Sequence, residues 1–380
     1  MVPGTVYNQQ VFENLTQTRK YQYQIIIHRK IFVVNKEHPK QQVTIIEISP
    51  SKMSSKSSAP PALDRKAIFY MFLLSLQFAF QPMLTRKYTS PNICRSSVIL
   101  MQEMLKFLLA FFMLTVSGSS KKAVSGWNVT TWATVAFIPA ALYALQNIAA
   151  LQAYQTLDAL TFNVLNQTKT LSAALCCYYV MGREQSYVQI ISLFILLLSA
   201  LIMEKIVPLD FFSSSLEIPE LESRHWTHGV APVMLASFIS GLSGALSQKN
   251  LQAQGGGRNP YMFSMELCAA STIILFSSLL MSPDGKIIAK EGFWNGWTST
   301  TWIPIFTNSV GGIIVGLVTK YAGSVRKGFA LIFGMFLSGI VQTFITDEGV
   351  SLAQSVGGIL AALSLWMHAT NPPVSKEKKD

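Results

Sequence analysis

The chain has 380 residues, half of them apolar and 13% charged, with a formal net charge of +11. An ordinary soluble protein carries about a quarter charged residues. That excludes a pair of soluble domains, and the apolar runs of roughly 18 to 22 residues from Ile68 onward match the ~20 that cross a bilayer. The reading is an all-α integral membrane protein. The positive charge forms no stripe of the nucleic-acid-binding kind, because residues 1–52 hold seven Lys/Arg against three Asp/Glu and the rest is scattered. Four cysteines without metal spacing, and five histidines outside or at the edge of the runs, imply no metal, no cofactor and no catalytic His–carboxylate pair.

Residues 1–66 read as a flexible N-terminal tail. Within it Tyr21–Ile27 and Val43–Ile48 are β-prone but too short to span, and no signal-peptide core with a cleavage site follows the basic residues. Met53 opens a polar Ser/Pro-rich stretch that leads into the first span, so Met53 is expected to be a natural start and 1–52 a dispensable extension. Ten spans are expected over 67–368, at about 67–84, 98–116, 132–153, 157–180, 187–207, 230–252, 261–281, 302–320, 327–345 and 351–368. The joins at Gln155–Thr156 and Gly255–Arg258 are short enough for helical hairpins. An even span number puts both termini on one side. Placing them in the cytosol gives twelve Lys/Arg there against seven opposite, the expected bias. In the tail 369–380, Lys376 and Lys378 stand fifth and third from the end. They resemble a dilysine signal that retrieval coat machinery reads as an address to the endoplasmic reticulum membrane. The sequon at Asn128 then faces the cytosol and stays bare.

Function is carried by charges inside the spans. A lysine at the centre of a span costs about 2.5–3.5 kcal/mol on insertion scales, yet Lys106, Lys169, Lys249 and Lys320 all sit in apolar surroundings. Glu103 and Lys106, three apart on one helix, can neutralise each other, and Lys249 can snorkel from the end of span six. Lys169 has no acidic residue within one turn of its own helix. It shares a stripe with Phe162 and Asn166 at i, i+4 and i+7, an aromatic, an amide and an ammonium suited to a base and a phosphate. Glu103 or Glu266 from another span is the alternative partner. Lys320-Tyr321 and Arg326-Lys327 bracket the break between spans eight and nine, either as a positive-inside cluster or as a phosphate site. Tyr143, Gln146 and Asn147 make a polar patch on span three. Tyr154 and Phe162 cross one short break and Tyr321 and Phe329 another with equal spacing, which fits two inverted five-span halves with a site between them. Gly312 and Gly316 form a close-packing motif that either a homodimer or an internal contact would use.

Three segments carry a resemblance: Ala141-Leu-Tyr-Ala-Leu-Gln-Asn147, Leu157-Asp-Ala-Leu-Thr-Phe-Asn-Val-Leu-Asn-Gln-Thr-Lys169 and Gly316-Leu-Val-Thr-Lys-Tyr-Ala-Gly-Ser-Val-Arg-Lys-Gly-Phe-Ala330. With them the sequence resembles the nucleotide-sugar transporter family of the drug/metabolite transporter superfamily, over roughly Ala67 to Trp366. Plant sialic acid nucleotide transporter-like members and endoplasmic reticulum carriers of UDP-N-acetylhexosamines are the nearest in kind. The resemblance implies ten helices in two inverted halves that exchange cytosolic nucleotide sugar for lumenal nucleoside monophosphate in the endoplasmic reticulum or Golgi membrane. It puts Tyr143 and Asn147 beside the nucleotide, Lys169 and Lys320 on the phosphates, and Tyr321 close by. Phe162 stands where several relatives have tyrosine, Phe263-Ser-Met-Glu266 replaces an Arg-Asn pair followed by Gln, and Gln248-Lys249 replaces Glu-Lys. UDP-GlcNAc and UDP-GalNAc are the expected cargo. CMP-sialic acid, UDP-galactose, triose-phosphate or amino-acid carriers of the same fold are rivals. A membrane transferase would have only Asp347-Glu348 and His225/His228 to draw on.

Overall fold

The computed structural model describes the backbone of residues 21–27, 30–35 and 43–47, and then residues 64–90, 92–125, 127–157, 162, 165–203, 226–253, 257–346 and 351–373. The chain divides into two compact units, Met1–Ser57 and Ser58–Asp380. In the first, β1 (Tyr21–Ile27), β2 (Lys30–Asn35) and β3 (Val43–Glu47) form an antiparallel meander with β2 in the middle. The two segments rich in Ile, Val, Thr and Tyr become strands, as β-branched and aromatic residues favour. The all-α description therefore holds for the second unit alone.

That unit is built from α1 (Arg65–Tyr88), α2 (Arg95–Val116), α3 (Ile138–Thr156), α4 (Lys169–Met181), α5 (Tyr187–Met203), α6 (Ala231–Leu251), α7 (Pro260–Met281), α8 (Trp302–Tyr321), α9 (Ser324–Thr346) and α10 (Leu352–Thr370). Among the described residues, eight helical segments are long and apolar enough to cross a membrane, and Tyr187–Met203 is a shorter apolar helix. Their ends follow local chemistry. Asn259 Oδ1 accepts the amides of Tyr261 (2.9 Å) and Met262 (3.3 Å) ahead of Pro260, whose missing N–H costs nothing at a first helical position. Ser351 and Gln354 form a reciprocal capping box for α10. Gly182 ends α4 at φ 64°, a left-handed conformation that glycine adopts without strain.

Two regions differ from the sequence expectation. Span four was expected to run unbroken from 157, but the helix is interrupted at Thr168 and resumes at Lys169. The Thr168 amide and hydroxyl both bond to the Leu165 carbonyl, a local alternative to the helical ladder that hydroxyl residues offer. Between α7 and α8 a short helix, Pro283–Glu291, leads into a cluster of Phe293, Trp294, Trp297 and Trp302 with ring centroids 4.9–6.4 Å apart. Trp297 Nε1 donates to Ser97 Oγ at 3.2 Å, which fixes the cluster to the start of α2. The start expected at Met53, His225 and Asp347-Glu348 of the transferase alternative, and Lys376 and Lys378 lie outside the described residues.

The six most extensive helix pairings are α5 with α10, α4 and α3 with α6, α2 with α7, and α9 and α8 with α1. Adding five to each helix number exchanges α4–α6 with α9–α1 and α3–α6 with α8–α1, and returns α5–α10 and α2–α7 to themselves. Small residues let the backbones meet, as bilayer-embedded helices require. A Cβ at Gly241 would come within 2.6 Å of the Ser172 carbonyl carbon, and one at Gly328 within 2.5 Å of Thr170 Oγ1. Gly312 faces Lys106 and Gly316 faces Ser264, so both glycines of the close-packing motif serve contacts inside the bundle. Gly241→Leu is expected to push α6 off α4 at a cost of about 1–3 kcal/mol, read as a lower thermal midpoint of the detergent-purified chain.

Candidate functional site

Along α6, Ser240, Gly244, Ser247 and Leu251 fall at i, i+4, i+7 and i+11, one face of the helix. Two cavities lie along that face. The first, about 200 Å³, is lined by Gln146 and Ala150 of α3, Phe162, Asn166, Lys169 and Thr170 around the Thr168 break, Ser240 and Gly244 of α6, and Ser324 and Lys327 of α9. The second, about 300 Å³, is lined by Glu103 and Lys106 of α2, Tyr143 and Asn147 of α3, Ser247 and Leu251 of α6, Phe263 and Ser264 of α7, and Gly312, Gly316 and Thr319 of α8.

The smaller cavity brings together the expected stripe of Phe162, Asn166 and Lys169, although the helix that was to carry it is broken. It adds Lys327, which the sequence offered with Arg326 either as part of a positive-inside cluster or as a phosphate site. The helix begins at Ser324, so Lys327 is already on α9 and turned inward. Gly323, at φ 92°, was the signal that places the boundary there, because a Cβ at this position would also meet Gln248 Nε2 at 2.8 Å. Among the described residues no carboxylate lies within ion-pair distance of Lys169 or Lys327. Gln146 Oε1 and Ser247 Oγ, one beside each cavity, are buried with no hydrogen-bond partner among the described residues.

The carboxylates that Lys169 was weighed against have other partners. Glu103 Oε1 receives Lys106 Nζ at 2.6 Å. Glu266, buried, is clasped by Arg258, whose Nε donates to Oε2 at 2.8 Å and whose Nη2 pairs with Oε1. Trp127 Nε1 donates to the same Oε1 at 2.8 Å, and Trp132 Nε1 to the Glu266 carbonyl at 3.0 Å. A bidentate Arg–carboxylate pair with an added donor is the arrangement that a buried charge requires.

Two expected site residues fall elsewhere. Lys320 Nζ donates to the Arg258 carbonyl at 3.2 Å and lines neither cavity, and Tyr321 stacks on Tyr70 with centroids 5.5 Å apart. Both belong to the end of the bundle where α6 gives way to α7. Lys249 is exposed, and its neighbour Gln248 is the buried partner instead, accepting the Ser324 amide at 2.7 Å. One residue of helical phase, 100°, separates the two fates.

The family model described as "Nucleotide-sugar transporter" matches residues 66–369, the whole helical unit. The chain belongs to the nucleotide-sugar transporter family. It is 32% identical over 323 residues to the UDP-N-acetylglucosamine transporter ROCK1 of Arabidopsis thaliana, covering 85% of this chain and 98% of the relative. It is 27% identical over 298 residues to the UDP-N-acetylglucosamine transporter of Rattus norvegicus (76% and 89%) and 23% identical over 301 residues to the UDP-N-acetylglucosamine/UDP-N-acetylgalactosamine transporter nstp-4 of Caenorhabditis elegans (76% and 87%). A solved crystal structure superposes at a TM-score of 0.59 over 79% of this chain and 95% of its own, at 10% identity, a likeness of fold alone. Within this family member, Glu103→Ala would leave Lys106 facing the larger cavity unpaired. It is expected to lower stability by about 3–5 kcal/mol, while Glu103→Leu with Lys106→Leu recovers most of that in the same thermal unfolding assay.

Proposed function

We propose that this nucleotide-sugar transporter family member is an antiporter that moves a cytosolic UDP-N-acetylhexosamine, UDP-GlcNAc or UDP-GalNAc, into the lumen of the endoplasmic reticulum or Golgi in exchange for nucleoside monophosphate. The observation that carries it is the pair Lys169 and Lys327, two ammonium groups lining one cavity among apolar helices with no carboxylate beside them among the described residues. In a low-dielectric site such charges attract a diphosphate far more strongly than in water. Phe162, Asn166 and Gln146 supply an aromatic face and amides around it. Tyr143, Asn147 and Ser247, next along α6, meet the nucleoside or sugar in the larger cavity. Lys320 and Tyr321 act at the mouth rather than on the bound phosphates. The names of the relatives support the choice of cargo.

Alternating access follows from two inverted five-helix halves, a reading supported by the exchange of pairings under a shift of five helices. The ten helices α1–α10 each cross the membrane, with both termini cytosolic in line with the lysine and arginine bias. An empty site holding two like charges reorients slowly, so return requires a bound monophosphate and transport becomes exchange.

Uptake of labelled UDP-GlcNAc into proteoliposomes tests this. Preloading with UMP is expected to raise the rate several-fold over empty vesicles, CMP and GMP much less. Stimulation by CMP or GMP alone would replace the cargo, and indifference to the loaded nucleotide would remove the antiporter. Lys169→Ala and Lys327→Ala are each expected to cut exchange at least tenfold, the size of losing a desolvated charge contact of about 2 kcal/mol. Retention of full exchange by either would overturn its role.

A further inference from the structure

The larger cavity ends between Leu251 of α6, Phe263 and Ser264 of α7, and Thr319 of α8. Directly beyond those residues two side chains fasten the α6–α7 connection to its surroundings. Gln252 Nε2 donates to the carbonyls of Thr319 (3.0 Å) and Lys320 (2.7 Å), the last turn of α8, while its Oε1 accepts Arg183 Nη1 at 2.7 Å from the α4–α5 connection. Arg258 clasps Glu266 on α7 and, through its own carbonyl, receives Lys320 Nζ. Glu266 in turn holds Trp127 and Trp132, which precede and open the approach to α3. The contacts therefore tie α6, α7 and α8 to the α2–α3 and α4–α5 connections, from the first five helices to the second five. Gly257, at φ 60°, would drive a Cβ into the Leu251 carbonyl, so the chain turns beside Arg258 through a conformation reserved for glycine.

The other end of α8 is held differently. There Gln81 of α1 accepts from Thr307 Oγ1 at 2.9 Å and donates to the Pro304 carbonyl at 3.0 Å, and Asn308 donates to Gln102 of α2 at 2.9 Å. Those contacts are neutral amides and hydroxyls, whereas a hydrogen bond to a charged group is the stronger kind.

We infer that Arg258–Glu266 and Gln252 form a latch that closes the larger cavity at the α6–α7 end, and that this end opens only when the ion pair is released. The inference deepens the transport reading, but it concerns access to the cavity and not the identity of the cargo. Opening separates Arg258 from Glu266 and frees the α8 carbonyls from Gln252. Lys320 and Arg258 then stand unpaired at the mouth, where an anionic solute approaches.

The test is the rate at which a water-soluble maleimide labels the thiol introduced by Ser264→Cys in the detergent-purified full chain, with the four native cysteines measured in the parent as background. Adding Glu266→Gln, which keeps an acceptor for Trp127 but removes the charge, is expected to raise the rate about tenfold. Gln252→Ala is expected to raise it as well, and it decides alone if Glu266→Gln does not fold. Gln81→Ala, at the opposite end of α8, is expected to leave it unchanged. An unchanged rate in folded Glu266→Gln and Gln252→Ala would overturn the latch. So would an equal rise with Gln81→Ala or at the buried core thiol of Cys177, because accessibility would then report general loosening. No nucleotide enters the assay, so its outcome stands apart from that of the exchange experiment.

Discussion

An apolar bundle that holds two uncompensated ammonium groups side by side is unstable with respect to almost any rearrangement that pairs or hydrates them. Lys169 and Lys327, with no carboxylate within ion-pair distance among the described residues, impose that constraint here. At about 2.5–3.5 kcal/mol each on insertion scales, their joint cost is comparable with the whole 5–15 kcal/mol stability of an ordinary domain. The rest of the site makes sense around it. The two carboxylates within helices α1–α10, Glu103 and Glu266, are committed to Lys106 and Arg258 and do not neutralise the pair. The break at Thr168 places Lys169 at the first position of α4, on the wall of the cavity.

Holding that charge in place is a matter of close backbone packing. Gly241 lets α6 touch α4, and Gly328 lets α9 touch α4 at Thr170, the residue next to Lys169. Gly244 brings α6 against Ser324, whose hydroxyl donates to the Gly244 carbonyl at 2.6 Å and whose amide is held by Gln248. These contacts fix the start of α9 and with it the position of Lys327. Under the shift of five helices α4 corresponds to α9, so the two lysines lie on elements that the pairing pattern relates.

Much of this was legible in the residues. Runs of apolar sequence located most of the helices to within a few positions, α4 excepted, and the three segments bearing Tyr143, Lys169 and Lys320 pointed to the family that the family model matches. The stripe of Phe162, Asn166 and Lys169 was read correctly as one surface, for an incomplete reason: it survives a helix break that hydropathy cannot register. Arg326-Lys327 stood in the sequence as either a positive-inside cluster or a phosphate site, and the helix start at Ser324 turns Lys327 toward the cavity. Lys249 lies exposed near the end of α6, where a lysine can snorkel, whereas Lys320, expected on the phosphates, bonds to the Arg258 carbonyl in a connection that hydropathy does not place. The partners of Glu266 were beyond reach, since Trp127 and Trp132 come from a stretch more than 130 residues away and meet Glu266 only in the fold.

The most direct test of the central claim is a double-mutant cycle on the ratio of UMP to uridine affinity, measured by calorimetry on the parent, Lys169→Ala, Lys327→Ala and the double variant. The two ligands differ only by the phosphate, so the ratio isolates its contribution from that of base and ribose. If the lysines share one phosphate, the parent prefers UMP strongly, each single variant loses most of that preference, and the double variant loses little more. A ratio unchanged by either substitution, with uridine still bound, would contradict the account.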